Sequence, residues 1–312
     1  MKLIFFGTSE FAVSILQNIK KEMDWDIELV VSESAKPQGR KNEIIDSPVS
    51  RYARNAGLNL VTPNSLADVK WADYKPDVAV VAAYGKILPQ NLLTWPSFGI
   101  INVHPSLLPK LRGPSPIQTA LRQGLKKTGV SLMLIDEKID HGPIISQDFL
   151  LVSETDNYFL LEPKLAELGA KMIARDLPLY VGGKLKPTEQ NHNEATFTRM
   201  IKKEDGRVDW SESADNIYNR WRAFIKWPGI YTFFNNKSGQ QTRLKLIELE
   251  KCPTSDVGHR PAGEVFVSDH NLYIACRDGA IKVIKLQPEN SKILAAPEFL
   301  NGYSYIAGQI LK

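Results

Sequence analysis

The chain has 312 residues, 43% of them hydrophobic and 24% charged, close to the average for soluble globular proteins and long enough to bury a core without staples. No run reaches the ~18 apolar residues of a membrane-spanning helix, so no membrane partner is expected. The net charge of +4 permits a polyanionic partner without demanding one.

The N-terminal run Met1–Phe6 is too short for a signal peptide and reads as a buried first strand. Near-continuous apolar runs at Lys2–Phe6, Ile27–Val31 and Asp77–Ala83 predict strands covered on both faces. Helical segments fall between them at Glu10–Lys21 and Pro48–Ala56, the second with Ser47 as cap and Pro48 at the first helical position. Gly7-Thr8-Ser9 lacks a full phosphate-binding glycine pattern and reads as a tight strand–helix turn. This rhythm predicts an α/β fold, a Rossmann-like, doubly wound sheet.

Phe98–His104 is a further buried strand, which Pro105 ends. Gly129–Ile135 and Pro143–Leu150 follow as strands, with the turn Asp140-His141-Gly142 just before the second. Leu161, Leu165, Leu168 and Met172 share one face of a helix that is expected to start late or kink at Pro163. After Gly183 the pattern breaks. The organisation read here is a catalytic domain over 1–183, a linker over 184–205 and a second domain over 206–312. In the latter, a helix near Ser213–Arg222 precedes short strands at Ile230–Phe234, Arg243–Leu249, Gly263–Val267, Leu272–Ala275 and Ile281–Leu286, the pattern of a small β-barrel. Cys252 and Cys276 have no metal or redox spacing and read as free thiols, which suits a reducing, cytoplasmic setting.

The chemistry concentrates at Ile101–Pro109. Asn102 and His104 stand two apart on a strand and face the same way, at the carboxyl end where open α/β sheets bind ligands. Read alone, each has an ordinary alternative: the pair can simply close the sheet end through hydrogen bonds, and Asp140 can be a common turn aspartate. If the three converge, Asn102 donates to an oxygen gaining negative charge, His104 manages a proton, and Asp140 orients the imidazole. That is an acyl-transfer site with no covalent nucleophile. A Ser106–His104–Asp140 hydrolase lacks a nucleophile elbow, and the five histidines show no metal-ligating spacing.

These residues resemble the methionyl-tRNA formyltransferases, within the folate-dependent formyltransferase superfamily. The match runs through Phe6–Ala12, Ala82–Pro89, Asn102–Pro109, Arg112–Gln118 and Asp140–Gly142. Lys202–Trp210 and Arg222–Gly229 extend it into the second half. The resemblance implies an OB-like, tRNA-binding second domain, 10-formyltetrahydrofolate as co-substrate and initiator methionyl-tRNA as acceptor, in a monomer. It also implies Asn102, His104 and Asp140 as the catalytic set. For the folate it implies Tyr84, Gly85, Lys86, Ile87 and Leu88 together with Ser106, Leu107, Leu108 and Pro109. Lys36, Arg40 and Lys41 correspond to the basic loop that grips tRNA, here beside Glu43 and Asp46. An amino-sugar nucleotide stays open as the alternative acceptor, since sugar-nucleotide enzymes share the first domain.

From Ile201 onward there are 16 Lys and Arg against 13 Asp and Glu, a surplus of +3, while the remainder carries 23 against 22, or +1. The surplus leans toward the domain that a tRNA would meet. Arg220, Trp221, Arg222, Lys226 and Trp227 mix basic and aromatic groups, which suits either nucleic acid or domain packing.

Overall fold

The computed structural model describes residues 1–38, 42–252 and 260–312. It divides into a first unit of Met1–Pro116, Lys127–Val152 and Leu161–Thr198, and a second of Ile117–Lys126, Ser153–Leu160 and Arg199–Lys312. The stretch 184–205 is thus shared, with residues up to Thr198 in the first unit.

In chain order the first half carries β1 (Lys2–Gly7), α1 (Glu10–Glu22), β2 (Asp26–Val31), β3 (Lys36–Gln38), β4 (Glu43–Ile45), α2 (Pro48–Asn55) and β5 (Leu60–Val61). It continues through β6 (Val78–Ala82), α3 (Gln90–Leu93), β7 (Ile100–His104), α4 (Pro116–Arg122), β8 (Lys127–Leu134), β9 (Ile144–Leu151) and α5 (Tyr158–Val181). Seven strands form one sheet in the order β5-β2-β1-β6-β7-β8-β9. The first five are parallel. β8 and β9 are antiparallel additions, so the doubly wound sheet is mixed rather than wholly parallel. The short link between β8 and β9 accounts for the second reversal, since it allows a return but no crossover helix; β8 already runs against β7, to which a longer link carrying α4 joins it.

The inner strands are apolar where both faces are covered, over Leu3–Phe6, Leu29–Val31 and Val78–Ala82. Ile4, Phe6, Leu29, Val31, Ala79, Val81 and Ile100 form one buried cluster with Leu66 and Leu88. The turn from β1 into α1 is tight: a Cβ on Gly7 would lie 2.6 Å from the Phe5 ring and 2.7 Å from Ala12 Cβ. Ser47 caps α2 by accepting from Ser50 N–H at 3.0 Å, with Pro48 in the first turn. α5 does not start late: it begins at Tyr158 and runs through Pro163 and Pro178, burying Leu161, Leu165 and Met172.

The second unit carries α6 (Ala214–Phe224), β10 (Ile230–Asn235), β11 (Gln241–Cys252), β12 (Val265–Ser268), β13 (Asn271–Cys276), β14 (Gly279–Pro288), β15 (Leu294–Ala295) and α7 (Ala296–Tyr303). Its antiparallel sheet, β10-β11-β14-β13-β12 with β15 on β14, is a half-barrel. Leu244, Leu246, Leu272, Ile274, Ile281 and Phe299 fill its core. The basic and aromatic cluster is largely spent inside this unit. Trp221 is buried and donates to Ile247 O at 2.9 Å, and Arg220 donates to Arg207 O at 2.6 Å. Arg222, also buried, donates to the carbonyls of Ser153, Glu154 and Asp156, and burial lowers its pKa. Packing is the role the structure gives these three, while Trp227 remains 53% exposed.

Candidate active site

β7 lies between β6 and β8, and its carboxyl end carries the polar pair. Val81 pairs with Asn102 on one side; Ser131 pairs with His104 on the other. Two-residue spacing puts Asn102 and His104 on one face, as expected. The turn after β8 then brings Asp140 to them. Asn102 Nδ2 donates to Asp140 Oδ1 at 3.1 Å, and His104 Nδ1 stands 3.6 Å from the same oxygen. The other carboxylate oxygen, Oδ2, accepts from Gly113 N–H at 2.7 Å. The three predicted residues therefore meet, although 38 residues separate Asn102 from Asp140 in the chain.

The imidazole's tautomer follows from its other nitrogen. His104 Nε2 lies 3.0 Å from Leu111 O. A carbonyl can only accept, so Nε2 carries the proton. In the neutral ring Nδ1 is then a bare lone pair turned toward the Asp140 carboxylate. A proton arriving at Nδ1 gains the attraction of that carboxylate, 3.6 Å away, in a buried place. His104 is 4% exposed, which keeps that interaction from being diluted by water. Asn102 spends one amide proton on Asp140 and keeps the second for another acceptor.

The turn itself is shaped for this. Asp140 takes φ +48°, and a Cβ on Gly142 would lie 2.1 Å from Leu134 O, so only glycine fits there. Ser106 is no nucleophile in this arrangement, because its hydroxyl donates to Lys110 O at 2.7 Å. Around it, Ser131 Oγ accepts from Leu108 N–H and donates to Ser106 O, and Gln147 Nε2 donates to Leu108 O. These bonds hold the segment Ser106–Pro109 in one shape.

Tyr84–Leu88 leaves the end of β6, beside Asn102. Leu88 joins the core cluster, and Tyr84 meets Phe6 edge-on with ring centroids 5.6 Å apart. The buried Tyr84 hydroxyl has no hydrogen-bond partner among the described residues. Its pKa is pushed up to about 12, chiefly by burial and secondly by Glu33. Lys86 Nζ donates to Pro63 O and Asn64 O, and Ile87 is 87% exposed. Lys86 and Ile87 line a cleft of about 550 Å³ with Asn64, Leu66, Trp71 and Asn91. With Trp71 on its wall and amides at Asn64 and Asn91, this cleft has a lining that suits a flat polar heterocycle; Tyr84 is not among its lining residues. In the basic loop, Lys36 pairs with Glu33 at 2.5 Å; Arg40 and Lys41 lie outside the described residues.

Sequence reasoning missed several residues that hold the site: Leu111 and Gly113 through their backbones, and Gln190, Arg112, Ser131 and Gln147 through their side chains. Backbone groups carry no residue signal, whether the Leu111 carbonyl or the Gly113 N–H, and Gln190 sits in a polar stretch that reads as a linker.

Residues 1–177 match the formyl transferase family and residues 200–304 match the family described as formyl transferase, C-terminal domain. A methionyl-tRNA formyltransferase from Caldicellulosiruptor saccharolyticus is 37% identical over 317 residues, covering 100% of both chains. The enzyme of that name from Caldanaerobacter subterraneus subsp. tengcongensis is likewise 37% identical over 100% of both. Among solved structures, an N-formyltransferase from Helicobacter canadensis, in complex with folinic acid and dTDP-3-aminofucose, superposes with a TM-score of 0.66 at 18% identity. That match covers 91% of this chain and 98% of the other.

Proposed function

The chain belongs to the formyl transferase family, and from that premise we propose that it transfers the formyl group of 10-formyltetrahydrofolate to the amino group of methionine on initiator tRNA. The observation that carries the chemistry is the Asp140 carboxylate, bonded by Asn102 and Gly113 N–H and faced by His104 Nδ1. The acceptor is supported by full-length relatives, which are named for methionyl-tRNA and not for a sugar. The sugar-nucleotide neighbour is similar in fold alone.

10-Formyltetrahydrofolate, when bound, would supply the formyl carbon, and the proton that His104 takes from the acceptor amine would pass to the carrier's nitrogen as the bond between that nitrogen and the formyl carbon breaks. The remaining work falls to the protein's own groups. His104 Nδ1 accepts the proton that the acceptor amine sheds as its nitrogen bonds to the formyl carbon. Asp140 stabilises the imidazolium so formed. The free amide proton of Asn102 meets the carbonyl oxygen as it gains charge. Tyr84–Leu88 and Ser106–Pro109 hold the folate, while Lys36, Arg40 and Lys41 meet acceptor phosphates. We place the enzyme in the cytoplasm as a monomer, where charged initiator tRNA is available.

The test is transfer from 10-formyltetrahydrofolate to methionyl initiator tRNA, run beside amino-sugar nucleotides. Product on the tRNA alone is the expected result. Product on a sugar alone overturns the acceptor and keeps the catalytic set.

A further inference from the structure

The stretch after α5 is not idle connection. Thr188 exchanges both backbone hydrogen bonds with Ile144, each at 2.8 Å, directly beyond the Asp140 turn. Thr196 accepts from Arg112 N–H through its carbonyl and from Leu111 N–H through its hydroxyl. Thr198 N–H donates to Arg112 O at 2.7 Å, and its hydroxyl accepts from Ser115 N–H at 3.1 Å. One segment therefore fastens two loops: the one that supplies Leu111 O and Gly113 N–H, and the one that supplies Asp140.

Gln190 joins them. It is 5% exposed, and both polar atoms of its side chain are hydrogen-bonded. Nε2 donates to Asp140 O at 3.0 Å and to Gly142 O at 2.7 Å. Oε1 accepts from Arg112 Nε at 3.2 Å and Nη2 at 2.7 Å. Arg112, 3% exposed, also donates from Nη2 to His192 Nδ1 at 2.9 Å. A buried guanidinium on the amide oxygen polarises the amide and strengthens its N–H donors. Those donors grip the backbone of a turn whose aspartate sits at φ +48°, a conformation that costs an L-residue free energy.

We propose that Gln190 is a positioning residue for formyl transfer: anchored by Arg112, it holds the Asp140–Gly142 turn so that the carboxylate faces His104 and Asn102. It touches neither substrate in this role. The inference rests on the function proposed above for its kinetic readout, and on the turn's own geometry for its structural one.

Two variants separate positioning from bulk packing. Gln190→Met keeps the volume and removes all four hydrogen bonds. Gln190→Glu keeps the acceptor for Arg112 and removes only the two donors. Both are expected to lower kcat at least tenfold, with the dissociation constant for 5-formyltetrahydrofolate within twofold of the parent. Deuterium uptake in a peptide covering 136–144 is expected to rise at least fivefold in both. A parent-like kcat in Gln190→Glu overturns the proposal, as does a kcat loss matched by an equal loss of folate affinity. Unchanged uptake in 136–144 overturns it too. If Gln190→Met fails to fold, Gln190→Glu decides alone. If the parent itself forms no product on methionyl-tRNA, the acceptor reading fails separately and the uptake comparison decides the positioning role.

Discussion

His104 and Asp140 face each other with 3.6 Å between Nδ1 and Oδ1, while the far side of the ring donates to Leu111 O at 3.0 Å. The carbonyl dictates which nitrogen is free, and the carboxylate waits beside that nitrogen. In the proposed reaction, the groups for proton uptake and charge stabilisation are therefore in place before any substrate arrives.

Asp140→Asn removes the charge and keeps the shape. Its turnover is expected to fall by about 10²–10⁴-fold, the range for a disabled acid–base pair. Single-turnover transfer measures it, and an unchanged melting temperature shows that the fold survives. Near-normal turnover removes Asp140 from the mechanism.

Asn102→Ala deletes one of the bonds on Asp140 and, in the proposed reaction, the donor to the developing oxyanion. A loss of about 10²–10³-fold in kcat is expected, with KM for both substrates little changed. A change confined to KM instead makes Asn102 a binding group.

Tyr84→Phe tests the orphaned hydroxyl. Burying an unpaired hydroxyl costs about 1–3 kcal/mol, so the variant is expected to be at least as stable as the parent. If that hydroxyl meets the folate, the same variant binds 5-formyltetrahydrofolate several-fold more weakly. Urea unfolding and a fluorescence titration read the two effects separately. Loss of stability, or unchanged affinity, counts against this role.

Asp205 makes stability pH-dependent in the second unit. Its carboxyl is held down to about 2, first by the hydrogen bond from Arg199 and further by Lys202 N–H at 2.7 Å, against an opposing effect of burial. The folded-state value lies below the unfolded one, so this contribution is present above about pH 4 and disappears as pH falls toward 2. Arg199 is largely exposed, which limits the pair to about 1 kcal/mol. Arg199→Ala is expected to be less stable than the parent at pH 7 and nearly equal to it near pH 2, as read by urea unfolding. A difference that does not vary with pH refutes the linkage.

The sequence alone set the strand–helix rhythm, because strand segments covered on both faces must be apolar, as β6 is throughout and as β1 and β2 are over Leu3–Phe6 and Leu29–Val31. It determined that Asn102 and His104 share a face at a strand's end, because side chains alternate along a strand. Ser47 and Pro48 marked the start of α2 for reasons equally local. That Asp140 meets that pair was settled by tertiary packing, since contacts across a sheet leave no periodic trace. Only it decided the histidine's tautomer, which depends on the carbonyl of Leu111. It also showed the basic and aromatic cluster around Trp221 and Arg222 to be bonded internally, where composition read nucleic acid and packing alike. Gln190 is the clearest case: in the chain it is one polar residue among many, and its role arises when the chain's return buries it against Arg112 and the Asp140 turn. Local rules write themselves into neighbouring residues, whereas a buried hydrogen bond requires only that two distant groups arrive together.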